Sequence, residues 1–181
     1  MSTQLKPKVG KHDNIHGDSS ATITLVEYGD YQCPHCGHAY PIVKQVQELF
    51  GDQLKFVFRN FPLKNIHPLA VQAAIAAEAA ARQNKFWEMH DIIFESQHQL
   101  FDKSFRLFAE NLGLNLVQFD NDSDDRTIIE KVEKDFESGM LSGVNGTPTF
   151  FINGKKYEGF YETYDLVAAI EQMVLQDSSK K

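Results

Sequence analysis

The chain has 181 residues, 42% of them hydrophobic and 24% charged, with a formal net charge of −7. That balance is the composition of a soluble globular protein and excludes disordered and fibrous classes, while the acidic charge excludes a nucleic-acid footprint, which needs a basic stripe to displace counterions from phosphates. The longest apolar candidate for a membrane span, "AVQAAIAAEAAA" at Ala70 to Ala81, is too short and carries Glu78, so no membrane partner is expected.

Residues 1–19 are polar and read as an N-terminal arm or an edge strand. They lack the apolar core of roughly seven residues that a secretory signal needs, so the sequence reads as cytoplasmic. "ATITLVEY" (Ala21 to Tyr28) is rich in β-branched and aromatic residues and predicts a strand buried on both faces, as in a parallel sheet. After Cys33, Pro34 fits the first helical position, and Ala39, Ile42, Val43, Val46 and Phe50 recur at helical spacing until Gly51. "LKFVFRN" (Leu54 to Asn60) is the next strand, which makes a βαβ unit with the cysteines at its first turn.

Helical periodicity then takes over through 61–143, with stretches at Pro68 to Gln83, Lys85 to Gln97, Ser104 to Leu112 and about Asp124 to Leu141. Ser104 and Gly113 are expected to cap and stop the third of these. The acidic run "DNDSDD" (Asp120 to Asp125) lacks the glycine and distal glutamate of a calcium loop and reads as a solvated helix start. Strand signal returns in "TPTFFINGKKYEGF" (Thr147 to Phe160), where Asn153-Gly154 between two β-rich runs marks a hairpin. One of Phe150 and Phe151 should pack inward, leaving the other to line a groove beside the cysteines. Thr163 to Gln176 is the closing helix and 178–181 a disordered tail. The fold class is α/β, with a sheet-based domain at 20–60 and 144–177 and a helical insertion at 61–143.

The only two cysteines, Cys33 and Cys36, stand two residues apart. Bridging so short a loop stabilises a fold little, so their value is chemical. At a helix N-cap, Cys33 faces unsatisfied N–H groups and the positive end of the helix dipole, which favour its thiolate, and His35 adds a further donor. Cys33 is the exposed attacking sulfur. Cys36, one turn further in, is the shielded resolving partner, and a stabilised thiolate shifts the couple toward an oxidant. Glu27 shares a strand face with Ile23 and Leu25, and alternation points it inward, beneath the cysteines, where it could take the Cys36 proton. The competing reading is a strand-end carboxylate that reaches solvent. Thr147-Pro148 is a candidate cis peptide whose exposed backbone could hold a substrate strand by β-augmentation.

A CxxC can also be half of a zinc site, with His35, His38, His67, His90 or His98 supplying the rest. No second ligand pair is clearly spaced, so a metal-binding or partner-binding module is the competing reading, and no metal or cofactor is assigned.

Together these residues resemble the DsbA-like branch of the thioredoxin superfamily. "CPHC" is the form typical of that branch, Glu27 matches its buried acid, "GTPTFFING" resembles its cis-proline loop and hairpin, and "FRNFPL", "HPLAVQAA" and "KFWEMHD" resemble the insertion of its smaller members. The resemblance implies a thioredoxin-like fold with an inserted helical domain and a redox-active Cys33-Cys36 disulfide, with Pro34 and His35 between the cysteines. It further implies that Thr147 and cis-Pro148 contact substrate, and that the partners are protein thiols or disulfides, or glutathione.

Overall fold

The structure is a computed structural model and describes residues 4–178. Its sheet is built outward from the strand β2 (Ile23–Gly29), which is buried along nearly its whole length. β3 (Leu54–Asn60) runs parallel to β2 on one side, with Glu27 opposite Phe58, and β4 (Thr149–Ile152) runs antiparallel on the other, with Glu27 opposite Phe150. Short edge strands complete the order β1-β3-β2-β4-β5, with β1 (Asn14–His16) on β3 and β5 (Lys155–Lys156) on β4, both antiparallel. β2 begins at Ile23 and not at Ala21. Asp18 holds the preceding residues in a turn, its Oδ1 accepting from the Ser20 amide at 2.8 Å and its carbonyl from the Ala21 amide at 2.9 Å.

Between β2 and β3 lies α1 (Pro34–Phe50), which buries Cys36, Ala39, Ile42, Val43 and Val46 and is closed by Gly51 at φ 49°. Alternation along the strands divides the core in two. On one face Leu25, Phe56, Phe58, Phe150 and Ile152 pack with α1, with the inserted helices and with Leu166 and Ile170 of the closing helix α7 (Thr163–Ser178). On the other face Val26, Tyr28, Val57 and Phe151 meet Leu5, Phe61 and Val144. Phe150 and Phe151 are therefore both buried, on opposite faces, and neither is left to line a groove. The β4-β5 turn at Asn153 and Gly154 has positive φ at both residues, 47° and 80°, as a two-residue hairpin with strand-matched twist requires.

From β3 to β4 the chain forms α2 (Ala70–Ala81), α3 (Phe86–Glu95), α4 (Ser104–Asn111), α5 (Leu116–Ser123) and α6 (Arg126–Leu141). Two readings of this segment need correction. The acidic run does not start one helix: Asp120 to Ser123 end α5, and Asp125 caps α6 by accepting from the Thr127 amide at 2.7 Å. α5 has a cap of its own in Asn115, which accepts from the Gln118 amide at 3.0 Å. Ser104 is not the cap of α4, a place taken by Lys103. Its buried hydroxyl accepts from the Phe101 amide one turn back, while Gly113 does follow the helix in the left-handed region at φ 70°. Residues 1–3 of the arm and 179–181 of the tail lie outside the described residues.

Candidate active site

β2 delivers the chain to the sheet edge at Gly29, and the turn Asp30-Tyr31-Gln32 carries it into α1. Asp30 shapes that turn: its carbonyl accepts from the Cys33 amide at 3.0 Å and its Oδ1 from the Gln32 amide at 2.8 Å. Cys33 is then the N-cap of α1 in extended conformation, with Pro34 at the first helical position, where a missing N–H costs nothing.

Cys33 is 4% exposed and Cys36 fully buried, both as free thiols. The expectation of an exposed attacking sulfur is thus corrected. The loop before β4 covers it, and Cys33 Sγ donates to the Thr147 carbonyl at 3.4 Å. The Thr147-Pro148 peptide is cis. The Cys33 thiol is nevertheless held down to about pKa 5. A hydrogen bond from the Cys36 thiol is the largest cause; burial opposes it, and the Thr147 side chain and the amides of Cys36 and His35 add to it. The Thr147 hydroxyl is buried with no hydrogen-bond partner among the described residues. His35 acts here through its backbone, since its side chain is exposed, as is Pro34.

Cys36 is pushed well above the usual thiol range, first by burial, then by the bond it gives to Cys33 and by the charge of Glu27. Its Sγ accepts from the Asp30 amide at 3.4 Å. Glu27 points inward, 3% exposed, and its Oε1 has no hydrogen-bond partner among the described residues. Burial, and then the Cys33 charge, raise its carboxyl to about pKa 8. A cavity of about 10 Å³, on the scale of one water molecule, lies against Glu27, Lys44, Trp87 and His90.

Several residues of this site escaped the sequence reading. Asp30, 1% exposed, also accepts at Oδ2 from the Leu63 amide and from His67 Nδ1, both at 2.8 Å. Gln97 donates through Nε2 to the carbonyls of Tyr31 and Cys33, at 2.8 and 2.9 Å. The Tyr31 hydroxyl bonds His90 Nδ1 at 3.1 Å, and burial holds that imidazole well below its usual range, hence neutral. Asp30 was legible as a turn former three residues before Cys33; Gln97, 64 residues away, gave no signal. Among the described residues no three His, Cys, Asp or Glu side chains converge as a metal set: His35 is exposed, and His38 bonds Glu162 at 2.9 Å.

A CxxC at the start of α1, in contact with a cis-proline loop that leads into the neighbouring strand of a mixed sheet, defines a thioredoxin-like fold. A family model described as Thioredoxin matches residues 10–172. The chain therefore belongs to the thioredoxin family. It is similar to BdbD from Bacillus subtilis, with TM-score 0.80 and 25% identity over 94% of this chain and 96% of that one. Alpha-DsbA1 from Wolbachia pipientis gives TM-score 0.79 and 21% identity over 93% and 94%. A protein called Na(+)/H(+) antiporter NhaA 1 from Mycobacterium sp. (strain KMS) is 39% identical over 171 residues, 93% of this chain. The chain spans only 28% of that relative's length, and no helix among its described residues is long and apolar enough to cross a membrane.

Proposed function

We infer that this chain exchanges a Cys33-Cys36 disulfide with the thiols of proteins or of glutathione, and that its poise favours oxidation of the partner. The observation that carries this reading is a nucleophilic sulfur with pKa about 5 at a helix start, with a second, buried sulfur as its largest stabiliser. In the oxidising direction a partner thiolate attacks Cys33 Sγ, forming a mixed disulfide and releasing Cys36 as a thiolate. Glu27, whose carboxyl burial raises even without the Cys33 charge, gives that thiolate its proton. A second partner thiolate then attacks the partner sulfur of the mixed disulfide. The partner leaves as a disulfide and Cys33 as a thiolate.

In the reducing direction the steps run backward. Once Cys33 is bound in a mixed disulfide its charge no longer raises Glu27, whose carboxylate then takes the Cys36 proton. Thr147 and cis-Pro148 present backbone beside the reacting sulfur, where an extended segment of the partner can pair. A Cys33 pKa of about 5 favours the reduced form at pH 7 by about 2.7 kcal/mol over an ordinary thiol, roughly 60 mV toward an oxidant.

Two measurements test this. Iodoacetamide alkylation of reduced protein across pH should show one thiol with a midpoint near 5, and a glutathione titration should place the disulfide above the potential of an unperturbed dithiol. A single midpoint in the ordinary thiol range for both cysteines overturns the reading.

A further inference from the structure

Gln97 opens a 3₁₀ turn, Gln97–Gln99, that follows α3. The exchange steps above make no use of its side chain. Both N–H bonds of its Nε2 are committed to the active-site loop, one to the carbonyl of Tyr31 at 2.8 Å and one to that of Cys33 at 2.9 Å. The Cys33 carbonyl also accepts the first helical bond of α1, from the Gly37 amide at 3.0 Å, so the N-cap peptide is gripped from inside the helix and from outside. The other end of the amide, Oε1, lies where a Cβ on residue 37 would stand. Glycine inside a helix is unfavourable relative to alanine, and at Gly37 the missing side chain is what lets the Gln97 amide seat.

We propose that Gln97 is a positioning residue of the CxxC, fixing the Tyr31 and Cys33 carbonyls so that the amides of His35 and Cys36 stay turned on the Cys33 sulfur. The inference rests on the exchange reading of the two cysteines. Without the clamp the Tyr31 carbonyl loses the Gln97 donor, the Cys33 carbonyl is held by the Gly37 amide without Gln97, and the loop gains freedom. A looser loop turns the His35 and Cys36 amides away from the sulfur and so disfavours the thiolate.

The test alkylates reduced wild type, Gln97→Ala, Gly37→Ala and the double variant with iodoacetamide across pH, and equilibrates each with glutathione. Gln97→Ala should raise the Cys33 midpoint by about one pH unit and shift the glutathione equilibrium about tenfold toward the disulfide. Gly37→Ala leaves the glutamine intact but pushes it off its seat, so it should shift both readouts the same way. On the Gln97→Ala background Gly37→Ala should change neither readout, since the methyl then has room. An unchanged midpoint in either single variant, or additive shifts in the double variant, overturns the proposal. Should Gln97→Ala fail to fold, Gly37→Ala alone decides. An ordinary thiol midpoint in the wild type would instead overturn the exchange reading itself.

Discussion

The Glu27 carboxyl and the Cys33 thiol titrate against each other in the stability of the reduced protein. Glu27 is raised to about pKa 8 from its ordinary 4.5, so folding keeps a proton that the unfolded chain releases, and stability is lost as pH rises from about 4.5 to 8. At pH 7 that costs about 3 kcal/mol. Cys33 has the opposite sign: with its pKa lowered from 9.0 to about 5, its contribution is complete above pH 9 and disappears as pH falls through 5. Glu27→Gln should therefore raise the stability of the reduced protein at pH 7 by about 2–3 kcal/mol in urea melts, because the amide carries no charge to desolvate. It should leave the Cys33 contribution, which rises between pH 5 and 9, unopposed by Glu27, and it should slow the step in which Cys36 leaves or attacks. A variant no more stable at pH 7 would show that Glu27 is not buried as described. Cys36→Ala has a separate consequence. The Cys36 thiol is the largest support of the Cys33 thiolate, so the alkylation midpoint of Cys33 should move up from about 5, and a shift down would contradict the assigned hydrogen bond. The same variant should accumulate mixed disulfides on Cys33.

At the scale of elements, the sequence was legible where one local rule dominates. α1 could be read from Pro34 at its start, its apolar spacing and Gly51 at its end, and β2 and β3 from dense β-branched and aromatic runs. α5 was not legible, since its eight residues bury only Phe119 and its cap, Asn115, sits just after another helix has stopped. The inward turn of Glu27 followed from strand alternation; the contact of the Thr147 loop with Cys33 did not, because that loop lies more than 110 residues away. Helix α6 shows a constraint of the same long-range kind. Gly139 lies against the Phe61 ring, with Tyr28 behind it, and a Cβ there would run into the aromatic ring. Gly139→Ala should destabilise the protein by about 1–3 kcal/mol in spite of the better helix propensity of alanine, because the buried ring has no free space to move into. A chemical-denaturation midpoint at or above that of the wild type would mean that α6 does not approach the sheet so closely.

Across the whole molecule, the arm, the sheet and the inserted helices are joined by buried charge. Arg59 of β3 donates to Asp13 at 2.8 and 3.0 Å, to the Pro7 carbonyl at 3.0 Å and to the Tyr28 hydroxyl at 2.9 Å. Beside it Asn60 donates to Glu78 of α2 at 2.8 Å and to Asp135 of α6 at 3.1 Å, while Lys131 bonds Asp135 at 2.6 and 2.7 Å and lies 3.6 Å from Glu78. Partners this far apart in the chain leave no trace in local pattern, and Glu78 and Asp135 read as ordinary charges on helices. Burial raises both carboxyls, and Lys131 is the cation that opposes the rise. Lys131→Met should therefore cost about 3–5 kcal/mol at pH 8, the penalty for leaving buried charge uncompensated. The sign of its pH dependence follows from linkage: losing the cation raises the folded pKa values of Glu78 and Asp135 further, so the penalty grows with pH above the unfolded carboxylate range and shrinks as pH falls toward it. Arg126→Ala removes only an exposed pair, with side chains 80% and 40% exposed, and should cost below about 0.5 kcal/mol at either pH. Urea melts of both variants at pH 5 and pH 8 separate the two cases, and an equal loss for Lys131→Met at both pH values would show that the lysine acts by packing its stem and not by its charge.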